Sequence, residues 1–221
     1  LMHSTQPGIG KTHAVILLQA MLFPHCISSQ RLWSWDPSKQ YMNGYNGHEM
    51  VFMDEWMGTD SQEAALANGA LLQMMSVNPY NCSMAALEDK KRMFTSKFVL
   101  LASNLGANRD IPGVHSHAAF RRRFSHWEVI LDPKFALPSG KLDVAKLMAL
   151  GEEVSSTCPH LQFHPMGFGD LADRNTYGPI GDWCTFHEFV VFVKANIIKK
   201  AKAHKSNIRC QQNVENSIKN C

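Results

Sequence analysis

The chain lacks the marks of a disulfide scaffold, a membrane span or a repeat array. Its six cysteines, Cys26, Cys82, Cys158, Cys184, Cys210 and Cys221, are scattered without close pairing. A reducing compartment such as the cytosol permits that usage, and a disulfide framework would not show it. No apolar stretch approaches the ~20 residues that cross a bilayer; the longest, Val15 to Phe23, is interrupted by Gln19. Internal repeats, low-complexity tracts and a signal peptide are also missing, and the chain opens on Leu1 rather than Met, as a fragment starting inside its first strand would. A strong charge of one sign is absent too. The formal net charge of +3 does not by itself imply nucleic acid, although Lys199, Lys200, Lys202, Lys205 and Arg209 form a basic tail opposite an acidic patch of Asp54, Glu55, Asp60 and Glu63.

What is present suits a folded domain. At 221 residues and 45% hydrophobic content, the chain can bury one sizeable core, with room for a small appendage. Brief apolar runs at Met50–Met53, Phe98–Ala102 and His126–Leu131 read as buried parallel strands. Helical spacing separates them: His13 to about Phe23, then Gln62 to Met75 with Leu66, Leu71, Leu72 and Met75 as the expected core face. Strands alternating with helices predict an α/β domain with a central, largely parallel sheet flanked by helices. Pro133, Pro138, Ser139 and Gly140 mark a loop, so the expected division is a core over 1–135 and a C-terminal region over 136–221. Within that region, Gly151 to Asp182 is rich in Gly, Pro and His and weakly periodic. Thr185 and Glu188 then form a capping box that opens a helix with Phe186, Phe189, Val190, Val193 and Ile197 on one face. Its polar end after Lys205 is expected to fray.

The richest local pattern is Pro7-Gly8-Ile9-Gly10-Lys11-Thr12 behind the short run Leu1–Ser4. A strand tip, a glycine turn and a helix start form a phosphate cradle. Gly8 and Gly10 let backbone N–H groups turn inward, Lys11 reaches terminal phosphates and the Thr12 hydroxyl holds Mg²⁺. The full pattern asks for glycine five residues before Gly10, where this chain has Thr5. Forty-three positions after Lys11, the strand Met50–Met53 ends in Asp54 and Glu55. A carboxylate at a strand tip suits the magnesium shell and its neighbour suits the attacking water, so Asp54 is assigned the metal and Glu55 the water. Asn104 closes the strand after Ser103, a neutral amide for the γ-phosphate; an Asn there is also an ordinary turn former. Arg121, Arg122 and Arg123 cannot all face one way, so at least one should point off the subunit, where its fork suits phosphoryl oxygens. The plain alternative is a basic helix end.

Taken in order, Asp36-Pro37, Gly44-Tyr45, Val51 to Glu55, Leu87 to Lys90, Phe94 to Lys97, Ala102-Ser103-Asn104 and Arg122-Arg123-Phe124 resemble the superfamily 3 helicases of picorna-like positive-strand RNA viruses, the 2C-type ATPases. The likeness spans about Met2 to Leu131. It implies an AAA+-type P-loop NTPase that takes ATP as substrate with Mg²⁺ and assembles as a homo-oligomeric, commonly hexameric ring. Arg122 and Arg123 match the family's arginine fingers, which serve a neighbour's nucleotide, and Asn104 its sensor. Glu55 stands where a second Asp is frequent. Related rings line the central pore with loops between the second and third motifs, which here hold Lys90, Lys91, Arg92 and Lys97; such loops would grip single-stranded or duplex RNA by its phosphates. The expected function is an ATP-hydrolysing motor that remodels or unwinds RNA in viral genome replication. Its expected setting is the host cytoplasm at membrane-associated complexes with other viral replication proteins, attached through a segment preceding this one.

Some family members carry zinc in the later part of the chain. Cys158, His160, His164, Cys184 and His187 have irregular spacing compared with a good zinc pattern, and zinc is not expected. Two other functions compete with the motor. A nucleotide-switched module for RNA and membrane assembly would not need both carboxylates and the arginine pair, and a small-molecule kinase would need an acceptor site that the sequence does not offer.

Overall fold

A computed structural model of the chain describes residues 1–36, 38, 39, 41–58, 61–76, 78–151 and 157–219, without the side chains of 61, 204, 205 and 207–219. Pro37, Asp60 and Cys221, and the side chains of Lys205, Arg209 and Cys210, therefore lie outside the described residues.

Seven strands form one sheet in the order β2-β3-β4-β1-β5-β6-β7. They are β1 (Met2–His3), β2 (Leu32–Ser34), β3 (Met50–Met53), β4 (Phe98–Ser103), β5 (His126–Leu131), β6 (Leu161–Phe168) and β7 (Tyr177–Pro179). The first five run parallel, while β6 and β7 continue the sheet antiparallel beyond β5. The helices are α1 (Lys11–Leu22), α2 (Ser28–Arg31), α3 (Ser61–Met74), α4 (His117–Arg121), α5 (Val144–Met148) and α6 (Phe186–Lys219). The expected α/β class, with a mostly parallel sheet and a closing C-terminal helix, is the observed one.

Side-chain alternation along the central strands divides the core between the two sheet faces. Met50 and Phe52 of β3, with Leu100 and Ala102 of β4, join Ala14, Val15 and Leu18 of α1 and Phe186, Phe189, Val190 and Val193 of α6. Val51, Met53 and Leu101 point the other way, into a cluster with Ala67, Leu71 and Met74 of α3 and the rings of Trp56 and Phe120. β3 is buried along its whole length, which is why it reads in the sequence as an unbroken apolar run.

The α3 face differs from expectation. Leu66 is 72% exposed, and the buried positions are Ala64, Ala67, Asn68, Leu71 and Met74. Leu66 and Leu71 are five residues apart, about 140° around a helix, so they cannot share a stripe. The true stripe is masked in the sequence by two alanines and an asparagine. Buried Asn68 earns its place by accepting from Trp56 Nε1 at 2.9 Å and donating to the Pro112 carbonyl at 3.0 Å.

Gly151 to Asp182 also differs, because it contains β6 and β7. β6 pairs with β5 over six residues, from His126↔Met166 to Leu131↔Leu161. The pattern was obscured because only Leu161 and Phe163 are buried in β6, and its later positions are Pro165, Met166 and Gly167. The capping box is present: Thr185 N donates to Glu188 Oε2 at 2.8 Å, and Glu188 N donates to Thr185 Oγ1 at 3.3 Å. Among the described residues no helix is long and apolar enough to cross a membrane.

Phe163 ties the late strands to α6: it is fully buried and stacks on Phe189 with ring centroids 4.5 Å apart. Phe163→Ala is expected to cost about 3–5 kcal/mol by leaving a cavity under α6. Urea unfolding measures this, and a loss below about 1 kcal/mol would mean that α6 does not close this face.

Candidate nucleotide site

The sheet topology prepares a crevice before any side chain is considered. β1 lies between β4 and β5, and the chain leaving β1 returns on one side at β2 while that leaving β4 returns on the other at β5. The two connections pass each other on opposite faces of the sheet, α1 on one and α4 on the other, and ligands of open α/β sheets bind in the crevice outside the carboxyl ends of the strands at such a switch point. Register puts the three candidate tips there together, since His3 is level with Ser103 and Met53 with Leu101. The chain past β3 stays beside β4: Trp56 N donates to the Ala102 carbonyl and Ser103 Oγ to the Trp56 carbonyl, both at 2.7 Å.

The glycine loop fills this gap. Gly8 and Gly10 take φ of 73° and 95°, left-handed conformations that a side chain would strain. Gly10 is the N-cap of α1, which has no side-chain cap. The first N–H groups of a twelve-residue helix are thus left without a side-chain acceptor, the arrangement that favours an anion. Pro7 and Gly8 are exposed and Ile9 is buried, anchoring the loop's underside. Thr5, in place of the expected glycine, is exposed. The turn beside it closes through Gln6 N donating to Ser4 Oγ at 3.1 Å.

Lys11 Nζ donates to Asn104 Oδ1 at 2.8 Å, and Thr12 Oγ1 donates to Asp54 Oδ2 at 3.4 Å. Four predicted residues, remote in sequence, therefore meet. Burial pulls the Lys11 ammonium below the usual lysine range, opposed by the negative charges of Asp54 and Glu55. Glu55 has φ of 50°, a left-handed backbone unusual for a residue with a side chain, and its carbonyl accepts from Gly58 N at 2.7 Å. Asp54 Oδ1 accepts from Glu55 N at 3.0 Å. The fit to Mg²⁺ with a triphosphate is chemical as well as spatial. Thr12 and Asp54 offer hard oxygen ligands, and open space lies on the side of Gly8 where a Cβ would project.

The three arginines diverge. Arg121 is buried: its Nη1 donates to the Leu171 carbonyl at 2.9 Å, and its guanidinium lies 4.6 Å from the centre of the Phe168 ring. Arg122 is exposed, and Arg123 bonds the Ala119 carbonyl. All three precede β5, so they lie at the amino edge of the parallel sheet, opposite the cradle. Arg121 and Arg122 line a cleft of about 240 Å³ with Trp127, Phe168, Ile180 and Phe192.

Among the other expected contacts, Lys90 and Lys91 are exposed. Arg92 bonds Asp89 and Asn46, and Lys97 pairs with Glu49 at 2.7 Å. The cysteines and histidines considered for zinc are apart from one another in role. Burial pushes the thiols of Cys158 and Cys184 up to about 12 and about 11; His164 stacks on Trp183, and His160 lies against the glycine loop. Among the described residues no group of three or more His, Cys, Asp or Glu side chains could hold a metal ion. Sequence reasoning missed that contact of His160, for which no local signal exists, and the Trp56–Ser103 clasp.

Comparison with known proteins agrees with the geometry. Residues 1–105 match the family model described as RNA helicase. The chain is 31% identical over 157 residues to the genome polyprotein of Bovine enterovirus (strain VG-5-27), covering 70% of this chain and 7% of the polyprotein. Against the genome polyprotein of Human rhinovirus A serotype 89 it is 37% identical over 146 residues, covering 66% and 6%. Against that of Cosavirus A it is 28% identical over 176 residues, covering 77% and 8%. The chain thus spans less than a tenth of the length of these curated relatives. By that match and that homology it belongs to the superfamily 3 RNA helicases of the picornavirus 2C type.

Proposed function

We propose that this domain hydrolyses ATP and uses the energy to remodel or unwind RNA during viral genome replication in the host cell. The family implies a nucleoside-triphosphatase acting on Mg-ATP. The observation that carries the reading is the convergence of Lys11 with Asn104 and of Thr12 with Asp54 at one sheet edge. In it, Pro7 to Thr12 wrap the phosphates and Lys11 neutralises the terminal ones. Thr12 and Asp54 would hold Mg²⁺, which would supply neutralisation of the phosphate charge. Glu55 accepts a proton from the attacking water, and its left-handed backbone is the kind of local strain that functional residues carry. Asn104 fixes Lys11 and reads the γ-phosphate by an uncharged hydrogen bond.

Arg122 and Arg123 complete the pocket of an adjoining copy. That role is supported by their position at the sheet edge opposite their own cradle and by the exposure of Arg122. The ring, commonly of six copies, follows from a site divided between subunits. RNA phosphates fall first to Lys90 and Lys91, because Arg92 and Lys97 are already engaged with Asp89 and Glu49. Contacts of that kind grip the backbone without reading bases. Attachment to membrane-bound complexes with other viral replication proteins belongs to the same proposal.

Glu55→Gln is expected to lower phosphate release about 10²–10⁴-fold while leaving Mg-ATP affinity within a few-fold of wild type. Equal turnover would remove Glu55 from the chemistry, whereas binding without turnover in the wild type itself would favour a nucleotide-switched assembly module. Lys11→Ala is expected to weaken binding at least tenfold, as loss of a charged phosphate contact does, and titration with a fluorescent ATP analogue checks this.

Because the arginines serve another copy, turnover per subunit should rise with protein concentration. Mixing Arg122→Ala with Lys11→Ala should restore activity that neither has alone, since only mixed interfaces pair an intact cradle with an intact Arg122. A flat concentration profile in a protein that sedimentation finds monomeric would rule out the shared site.

A further inference from the structure

His160 is a buried histidine set against the phosphate cradle at Gly10, and it has no part in the assignments above. It is 1% exposed and sits just before β6, outside the stretch that matches the helicase family model. A tight turn delivers it: Cys158 takes φ of 46°, its carbonyl accepts from Leu161 N at 3.1 Å, and the His160 carbonyl accepts from Asp132 N at 2.9 Å. The pairing of Leu131 with Leu161 sets this turn at the carboxyl end of β5. There Gln6 Oε1 also receives Leu131 N at 3.4 Å, so the loop rests on the β5–β6 pair at both its ends.

The contact with the loop is intimate. His160 Nε2 lies 2.7 Å from where a Cβ on Gly10 would stand, so any side chain at Gly10 would collide with the ring. The ring also faces the Ile9 backbone, whose polar influence on it favours the protonated imidazole. An influence of this sign sets a ring N–H toward the Ile9 carbonyl. Nδ1 is buried without a hydrogen-bond partner, and Nε2 is the nitrogen turned to the loop beside Gly10. Burial first, and His13 on α1 next, hold the ring's pKa down to about 4, so the imidazole is neutral at physiological pH.

A peptide unit is planar and trans, and its C=O and N–H point in opposite directions. A ring N–H that ties the Ile9 carbonyl inward would therefore aim the Gly10 N–H outward. We propose that His160 is a positioning residue of the phosphate cradle: its Nε2–H locks the Ile9–Gly10 peptide so that the Gly10 N–H faces the anion. The proposal rests on the cradle being a nucleotide site. The ring is a strut beneath the loop, and His160 touches no reacting atom.

The test compares His160→Leu with His160→Gln in the full chain, by titrating a fluorescent ATP analogue with Mg²⁺ and measuring turnover at saturation. Leucine fills similar space without a donor, whereas the glutamine side-chain N–H reaches about as far as Nε2. His160→Leu should raise Kd about tenfold, the effect of losing one hydrogen bond that orients a phosphate ligand, with a smaller effect on kcat. His160→Gln should recover most of the lost affinity. A folded His160→Leu protein with wild-type Kd would overturn the proposal, as would a glutamine variant no better than leucine. Wild-type protein that binds no nucleotide would instead remove the cradle reading on which this one stands. Should the leucine variant not fold, long-range ¹H–¹⁵N correlation on the wild type decides: an Nε2–H tautomer supports the strut and an Nδ1–H tautomer overturns it.

Discussion

The insertion of β1 between β4 and β5 is the constraint on which the rest depends. Met2 and His3 of β1 pair on both sides, with Ala102 and Ser103 of β4 and with Trp127 and Glu128 of β5. A strand paired on both sides takes its height and its direction from its neighbours. From that height follow the position of the glycine loop, the start of α1, and the reach of Lys11 to Asn104. A register slip of one residue would move Lys11 by about 3.3 Å and reverse which face every β1 side chain meets. The 2.8 Å contact between Lys11 and Asn104 is thus a readout of sheet register.

The same topology separates the two halves of the proposed catalytic apparatus. The cradle, Asp54 and Asn104 follow the carboxyl ends of β1, β3 and β4, whereas Arg122 and Arg123 precede the amino end of β5. Parallel strands make that separation unavoidable, because one strand contributes its two ends to opposite edges. Guanidinium groups at the far edge serve a neighbouring nucleotide more naturally than their own. Arg121 gives the neighbouring pair a firm base, with its guanidinium bonded to the Leu171 carbonyl and packed on Phe168.

Much of this arrangement is legible in the sequence because the motifs sit where secondary structure changes. Met50 to Glu55 and Phe98 to Asn104 show a buried strand running into polar tips, and the observed strands end at Met53 and Ser103. Other features have no local signature. The stripe of α3 is built on alanines and Asn68, so the larger Leu66 misdirects the reading toward a face that is exposed. β6 hides because half-buried positions and a proline break its alternation. Three consecutive arginines are identical letters with separate fates, decided by Phe168 and Leu171 some fifty residues on. His160 is harder still, since its significance comes from a glycine a hundred and fifty residues away.

The amide at position 104 also has an electrostatic reason. In the proposed site, Lys11 would be aimed before nucleotide arrives and then given up to phosphate. A carboxylate at that tip would aim it as well, but a charge-assisted bond is roughly twice as strong as a neutral one, and Lys11 is already partly withdrawn from water. Phosphate would then have to break an ion pair, and a third negative charge beside Asp54 and Glu55 would repel the incoming triphosphate. Asn104 holds the ammonium through Oδ1 without that penalty, leaving the charge of Lys11 available to the ligand. On the proposed function, the division of labour between two carboxylates at one strand tip and a neutral amide at the next follows from this balance: negative charge is concentrated where a cation would be held, and withheld where an anion would be received.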